Sequence, residues 1–231
     1  IRTPLSIIKG YLELLQSFLD NSDREAEEIF EVLVDTIVEL SEMLERMHLL
    51  EGSHQYQSRK VFAPVDLRLL LRKIHKEVSG LFESRKIIFK MYASSEPVIV
   101  DGDHRQLRLI LRELIQNALK YTADGGKVEV RLELKDDSII YSVKDTGIGI
   151  PLDKQEIIFE SFYEVQDSIN HSTSKKDFMG GGLGIGLCLV RELVKSMEGK
   201  ILVDSELGKG STFKIILPVS EKILEKSNAL Y

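Results

Sequence analysis

Asn117 stands inside a segment with a helical apolar stripe, with Glu113 four residues before it and Lys120 and Tyr121 three and four after. That spacing puts all four near one helical face. A side-chain amide oxygen suits Mg²⁺, a hard cation that prefers oxygen ligands. If Asn117 holds such an ion, Glu113 lies one turn away and can reach the metal's water shell. Three glycine-bearing turns follow: "DTGIG" (Asp145 to Gly149), "GGGLGIGL" (Gly180 to Leu187) and "GKG" (Gly208 to Gly210). Turns of this kind can present backbone N–H groups to phosphate oxygens. Plainer alternatives stand beside each: a mid-helix Asn facing water, a solvated Lys120, and ordinary turn chemistry at Asp145. The middle turn lacks the spacing G-x-G-x-x-G, and no G-x-x-x-x-G-K-[ST] occurs, so neither a Rossmann nor a P-loop site is supported.

These residues must be positioned by a chain of 231 residues, 43% hydrophobic and 29% charged, which is ordinary for a globular protein. A formal net charge of -6 argues against a nucleic-acid partner. The single cysteine, Cys188, excludes an intramolecular disulfide. No apolar run approaches the roughly 18 residues of a membrane span, so no membrane contact by this segment and a cytoplasmic location are expected. None of the five histidines belongs to a zinc-spaced cluster.

Two unlike halves are legible. Leu5, Ile8, Leu12, Leu15 and Leu19 form one helical stripe, and Ile29, Leu33, Ile37, Leu40, Leu44 and Met47 form another beyond the turn "DNSD". Both apolar faces are wider than one hairpin partner can cover, which predicts a homodimeric four-helix bundle over residues 1–59, linker included. The alternative is packing of the hairpin on its own chain. From residue 60 to 219 the pattern becomes mixed: helices over Val65 to Phe82, Arg105 to Tyr121 and Leu183 to Met197, with strands at Lys86 to Tyr92, Pro97 to Gly102, Lys127 to Leu134, Ser138 to Val143, and two closing strands joined through "LGKG". Strands clustered against helices without regular βαβ alternation predict an α+β protein whose second domain is an α/β sandwich, a mixed sheet with helices on one face. Residues 220–231 read as a C-terminal tail.

In order along the chain, "ELIQNALKYT" (Glu113 to Thr122), "DTGIGI", "IFESFYEV" (Ile158 to Val165), "GGLGIGL" and "GKGSTF" resemble the N, first glycine, F, second glycine and third glycine boxes of sensor histidine kinases. "IRTPL" (Ile1 to Leu5) is similar to the end of that family's H box, H-E-[IL]-R-T-P-L, which would put the phosphoacceptor histidine two residues before Ile1. The resemblance spans essentially the whole sequence. It implies ATP and Mg²⁺ as ligands, transfer of the γ-phosphoryl group to that histidine, and onward transfer to an aspartate of a response-regulator receiver domain. Autophosphorylation is not expected from this chain alone, and the intact protein could carry a membrane anchor upstream.

The resemblance also assigns residues. Asn117 becomes a Mg²⁺ ligand, and with Asn117 there Glu113, one turn away, can reach either the metal's water shell or, as a general base, a water beyond the γ-phosphate. Lys120 and Tyr121 fall at the nucleotide phosphates or ribose, Lys120 also neutralising charge in catalysis. Asp145 accepts a hydrogen bond from the adenine amino group, with Gly147, Gly149 and Ile150 along the base. Phe159 and Phe162 anchor a lid, for which the patternless stretch "QDSINHSTSKKDFMGG" between Val165 and Gly182 is suited, though a core pair is the commoner use of two such phenylalanines. Gly182, Leu183, Gly184, Ile185, Gly186 and Leu187 turn into a helix whose first amides face phosphate. Thr212 and Phe213 close the floor of the site, or form a plain strand. Thr3 matches the position that helps orient water for dephosphorylating the response regulator, unless it is simply a helix-surface residue.

Two departures from the family pattern stand out. Glu164 replaces the usual Arg after the Phe-Tyr pair, and Glu113 replaces a common Asn. The glutamate is similar to that of the related ATPases DNA gyrase, MutL and the large cytosolic heat-shock chaperone, where it prepares water for attack on ATP. An ATPase of that superfamily is therefore the first rival reading, and a non-catalytic docking module for a receiver domain is the second.

Overall fold

The computed structural model describes Phe30, Leu33, Val34, Ile37, Leu40, Ser41 and Leu44, then residues 63–135, 137–161, 163 and 184–219. The chain falls into two compact units, Ile1–Gln55 and Tyr56–Tyr231. In the first, all the described residues are helical, and Ser41 Oγ donates to the Ile37 carbonyl at 2.8 Å. Phe30 is buried, whereas Leu33 and Leu40 are 46% and 45% exposed. The rest of the expected hairpin, the linker and the tail lie outside the described residues.

The second unit runs β1 (Ala63–Asp66), α1 (Leu67–Ser84), β2 (Ile88–Ala93), β3 (Ile99–Gly102), α2 (His104–Tyr121), β4 (Lys127–Lys135), β5 (Ser138–Asp145), two short 3-10 turns, α3 (Gly186–Ser196), β6 (Lys200–Glu206) and β7 (Gly210–Pro218). Five strands form a sheet in the order β2-β4-β5-β7-β6, with only β2 and β4 parallel. β1 and β3 make a separate antiparallel pair. Period-two alternation buries Val128, Val130, Leu132, Ile139, Tyr141, Val143, Phe213, Ile215 and Leu217 on one side. Against that side pack the buried stripes of the helices: Leu67, Leu71, Ile74 and Phe82 of α1, Leu107, Ile110, Leu114 and Leu119 of α2, and Leu189, Val190 and Leu193 of α3. Tyr141 is fully buried, and its hydroxyl donates to the Leu111 carbonyl at 2.9 Å, joining sheet to α2. Its burial pushes the phenol pKa well above the ordinary value.

Element boundaries differ from the sequence expectation where local chemistry intervenes. The first helix of this unit begins at Leu67 rather than Val65 because Asp66 is an extended N-cap whose carboxylate accepts the Arg68 N–H at 2.9 Å. Val65 instead pairs with Val100 in the β1–β3 ladder, a strand the hydrophobic pattern does not announce. The next strand starts at Ile88, after Lys86 at φ 54 reverses the chain. The last helix starts at Gly186, since Gly184 at φ 63 cannot continue a right-handed helix.

Candidate functional site

α2 delivers the central residues. Asp103 caps it by accepting from the Arg105 and Gln106 N–H groups, and Arg85 closes its far end: Nη1 and Nη2 donate to the Leu119 and Thr122 carbonyls at 2.6 and 2.7 Å, and Nε to Asp124 at 2.8 Å. A buried guanidinium at a helix C-terminus satisfies orphan carbonyls and complements the helix dipole. The last turn of α2 is thereby fixed beside the first glycine turn, where Ile148 N–H donates to the Tyr121 carbonyl at 3.1 Å.

Asp145, at the end of β5, is only 5% exposed. Its Oδ1 accepts from the Gly147 N–H at 2.8 Å and the Ser211 N–H at 3.2 Å. Burial raises its pKa, partly countered by these two bonds. A β-carbon at Gly147 would lie 2.2 Å from the Tyr121 carbonyl oxygen, and one at Gly149, whose φ is +69, would lie 2.0 Å from that of Glu206. Both glycines are therefore required by close backbone approach. Gly208 N–H donates to the Ile148 carbonyl at 2.7 Å, so the first and third glycine turns brace each other.

Around this frame lies an open cleft of about 570 Å³, counting the space continuous with solvent. Asn117, Tyr121, Asp145, Gly149, Ile150 and Leu187, all expected from sequence, line it. So do Phe213, expected at the floor of the site, and Ile148, Ile158, Tyr163 and Ser211, which the sequence pattern does not single out. Most of this wall is apolar, with Asp145 and Ser211 as polar groups at one place and Asn117 at another. Such a lining fits a flat aromatic ligand carrying one hydrogen-bonding edge and a charged tail.

Other expected residues sit differently. Thr212 is not among the lining residues: it pairs with Lys144 and Asp204, and alternation along β7 turns it to the opposite sheet face from Ser211 and Phe213. Phe159 is buried, edge-on to Phe213 at 6.5 Å with the Arg191 guanidinium 5.9 Å from its ring, so it packs beneath the cleft. Lys120 lies over the Tyr121 ring, Nζ 4.9 Å from its centroid. Glu113 is buried and does not line the cleft; its carboxylate abuts Gly186, where a β-carbon would come 2.4 Å from Oε2. Ile185 is buried, and as N-cap of α3 it offers no side-chain bond to the first helical amides. Gly147 and Gly184 shape turns rather than walls, and Gly186 opens α3. Thr3, Phe162, Gly182 and Leu183 lie outside the described residues. Ser211, in the third glycine box, is not singled out by the sequence pattern, because strand register decides which of Ser211 and Thr212 faces the cleft.

A mixed sheet covered on one face by helices, with a cleft between an amide-bearing helix and glycine turns, defines the class. Residues 102–221 match the model of the histidine kinase-, DNA gyrase B-, and HSP90-like ATPase family, and residues 1–53 match the His Kinase A (phospho-acceptor) domain. The chain belongs to this ATPase family, in its histidine kinase branch. It is 31% identical over 216 residues to the signal transduction histidine-protein kinase ArlS of Staphylococcus haemolyticus, covering 94% of this chain and 46% of that protein. Sensor histidine kinase RppB of a Synechocystis strain is also 31% identical, over 95% of this chain and 47% of its own length. The crystal structure of full-length ShkA in complex with AMPPNP superposes with a TM-score of 0.74 at 27% identity, over 95% of this chain and 44% of ShkA. The chain thus spans about half the length of the curated relatives it matches. No helix among the described residues is long and apolar enough to cross a membrane.

Proposed function

We propose that the second unit binds Mg-ATP in this cleft and supplies its γ-phosphoryl group to the histidine of the motif that Ile1–Leu5 resemble, from which it passes to a receiver-domain aspartate. The observation that carries the reading is the convergence of Asn117, Asp145 and an apolar slot on one cleft. Asp145 accepts the adenine amino group, and Ile148, Ile150, Leu187 and Phe213 exclude water from the base. ShkA, similar over the same span, was solved with AMPPNP, a triphosphate analogue of ATP. The N-terminal amides of α3 face the phosphates.

Asn117 offers the amide oxygen for Mg²⁺, and one protein ligand fits an ion that keeps waters and phosphate oxygens in its shell. When bound, Mg²⁺ neutralises charge developing on the transferring phosphoryl group. Asn117 orients that charge, the α3 amides hold the phosphates, and Lys120 on the same helix adds positive charge nearby. Thr3 would orient the water that hydrolyses the receiver's aspartyl phosphate, and Phe162 with Gly182 and Leu183 would close over the nucleotide.

The experiment is incubation of the intact protein with γ-labelled ATP and Mg²⁺. Acid-labile, base-stable label on the protein, chased onto a receiver domain, is expected. Phosphate released to water with no protein-bound label would favour the ATPase reading instead.

A further inference from the structure

Ser205, on β6, lines no part of the cleft, yet it joins three turns that build it. Its Oγ accepts from the Ile150 N–H at 2.8 Å, donates to the Gly210 carbonyl at 2.9 Å, and lies 2.9 Å from Ser211 Oγ. Its carbonyl accepts from Gln155 Nε2 at 2.8 Å, and the same amide nitrogen reaches the Ile150 carbonyl at 3.2 Å. A hydroxyl has one hydrogen to give, and a carbonyl can only accept. The Ser205 hydrogen is therefore committed to Gly210, and the bond between the two serines must be donated by Ser211.

That assignment fixes what the cleft presents. With its hydrogen turned toward Ser205, the Ser211 oxygen has only lone pairs left for a ligand. Ser211 N–H is itself bonded to Asp145 Oδ1, so the serine oxygen and the carboxylate are neighbours on the same wall. We infer that Ser205 is a positioning residue for base selectivity: by holding the Ser211 hydrogen it makes the polar end of the cleft all-acceptor, matched to an exocyclic amino group and mismatched to a carbonyl at the same place. Resting on the ATP reading above, the inference adds a residue that selects 6-amino over 6-oxo purines without touching the base. Two acceptors for the two amino hydrogens satisfy the group, whereas a 6-oxo purine would leave lone pairs facing lone pairs.

The test compares dissociation constants for Mg-ATP and Mg-ITP, which differ at the purine 6-position, in wild type, Ser205→Ala, Ser205→Thr and Ser211→Ala. Freed from Ser205, the Ser211 hydroxyl can rotate and donate to a 6-oxo group, so the ATP preference in Ser205→Ala should fall about fivefold or more, the scale of one neutral hydrogen bond. Ser205→Thr, which keeps the hydroxyl, should retain the preference. Ser211→Ala leaves the Ser205 bonds to Ile150 and Gly210 in place and should lower the preference too, which keeps the test alive if Ser205→Ala does not fold. An unchanged preference in the alanine variants, with both nucleotides weakened alike, would mean that Ser205 only braces the turns and overturns the inference. Wild type that binds neither nucleotide would instead overturn the ATP reading on which it rests.

Discussion

Asp145 Oδ1 accepts two backbone N–H groups, and an asparagine oxygen could accept the same two without a buried charge. Because burial raises the Asp145 pKa, its ionised form is disfavoured in the folded state: this site's contribution to stability is greatest below the ordinary Asp pKa and is lost as pH rises through the raised one. Asp145→Asn should therefore leave Tm at pH 7 unchanged or higher by calorimetry. On the proposed ATP reading, the same variant points an NH₂ at the adenine amino group and should weaken ATP binding about tenfold or more, the cost of a lost bond to a charged acceptor. A fall in Tm together with retained affinity would reverse these roles. Glu113 invites a similar separation. Its spacing from Asn117 suggests a base, but its carboxylate lies against Gly186 at the start of α3. If it acts on water, Glu113→Gln should cut slow ATP hydrolysis about tenfold or more with affinity held within a few-fold. Equal hydrolysis by the two proteins would leave Glu113 to position α3 alone. From the sequence, the Asn117 and Asp145 placements were legible because each ends or centres a strongly patterned element. The exchange of Thr212 for Ser211 and the withdrawal of Glu113 from the cleft depend on register and side-chain direction, which spacing alone does not carry.

α2 and the turn after it form the element on which the site depends, and Arg85 is its tie to α1. Replacing Arg85 by Met strands the Leu119 and Thr122 carbonyls and should cost about 2–3 kcal/mol, seen as a Tm lower by roughly 5–10 °C. Asp124, whose side chain is 69% exposed, contributes an ion pair of the weak surface kind, so Asp124→Asn should change stability by less than about 1 kcal/mol. The opposite ranking would show the charge pair, not the helix cap, to be the tie. The amphipathic stripes of the three helices and the alternation of β4, β5 and β7 were readable in advance, because one-sided burial imposes them. β1 was not, since four residues ending in a helix cap carry too little pattern. Arg85 gave no signal either: the carbonyls it caps lie 34 and 37 residues away, and Asp124 39.

At the scale of the molecule, the first unit leaves Leu33 and Leu40 exposed on a helix whose stripe continues in sequence through Leu44 and Met47. A second copy covering that stripe is the arrangement the sequence favours, so charged substitution of Leu12 and Leu40 should convert a dimer to monomers by light scattering while nucleotide binding survives. A monomeric wild type would sink the bundle. Nucleotide binding itself is the central claim, and titration of the chain with ATP, with and without Mg²⁺, beside Asn117→Ala, tests it most directly. Saturable binding that Mg²⁺ strengthens in wild type, and that Asn117→Ala weakens while abolishing the Mg²⁺ enhancement, is the predicted result. Absence of binding, or the same Mg²⁺ dependence in both proteins, would contradict it.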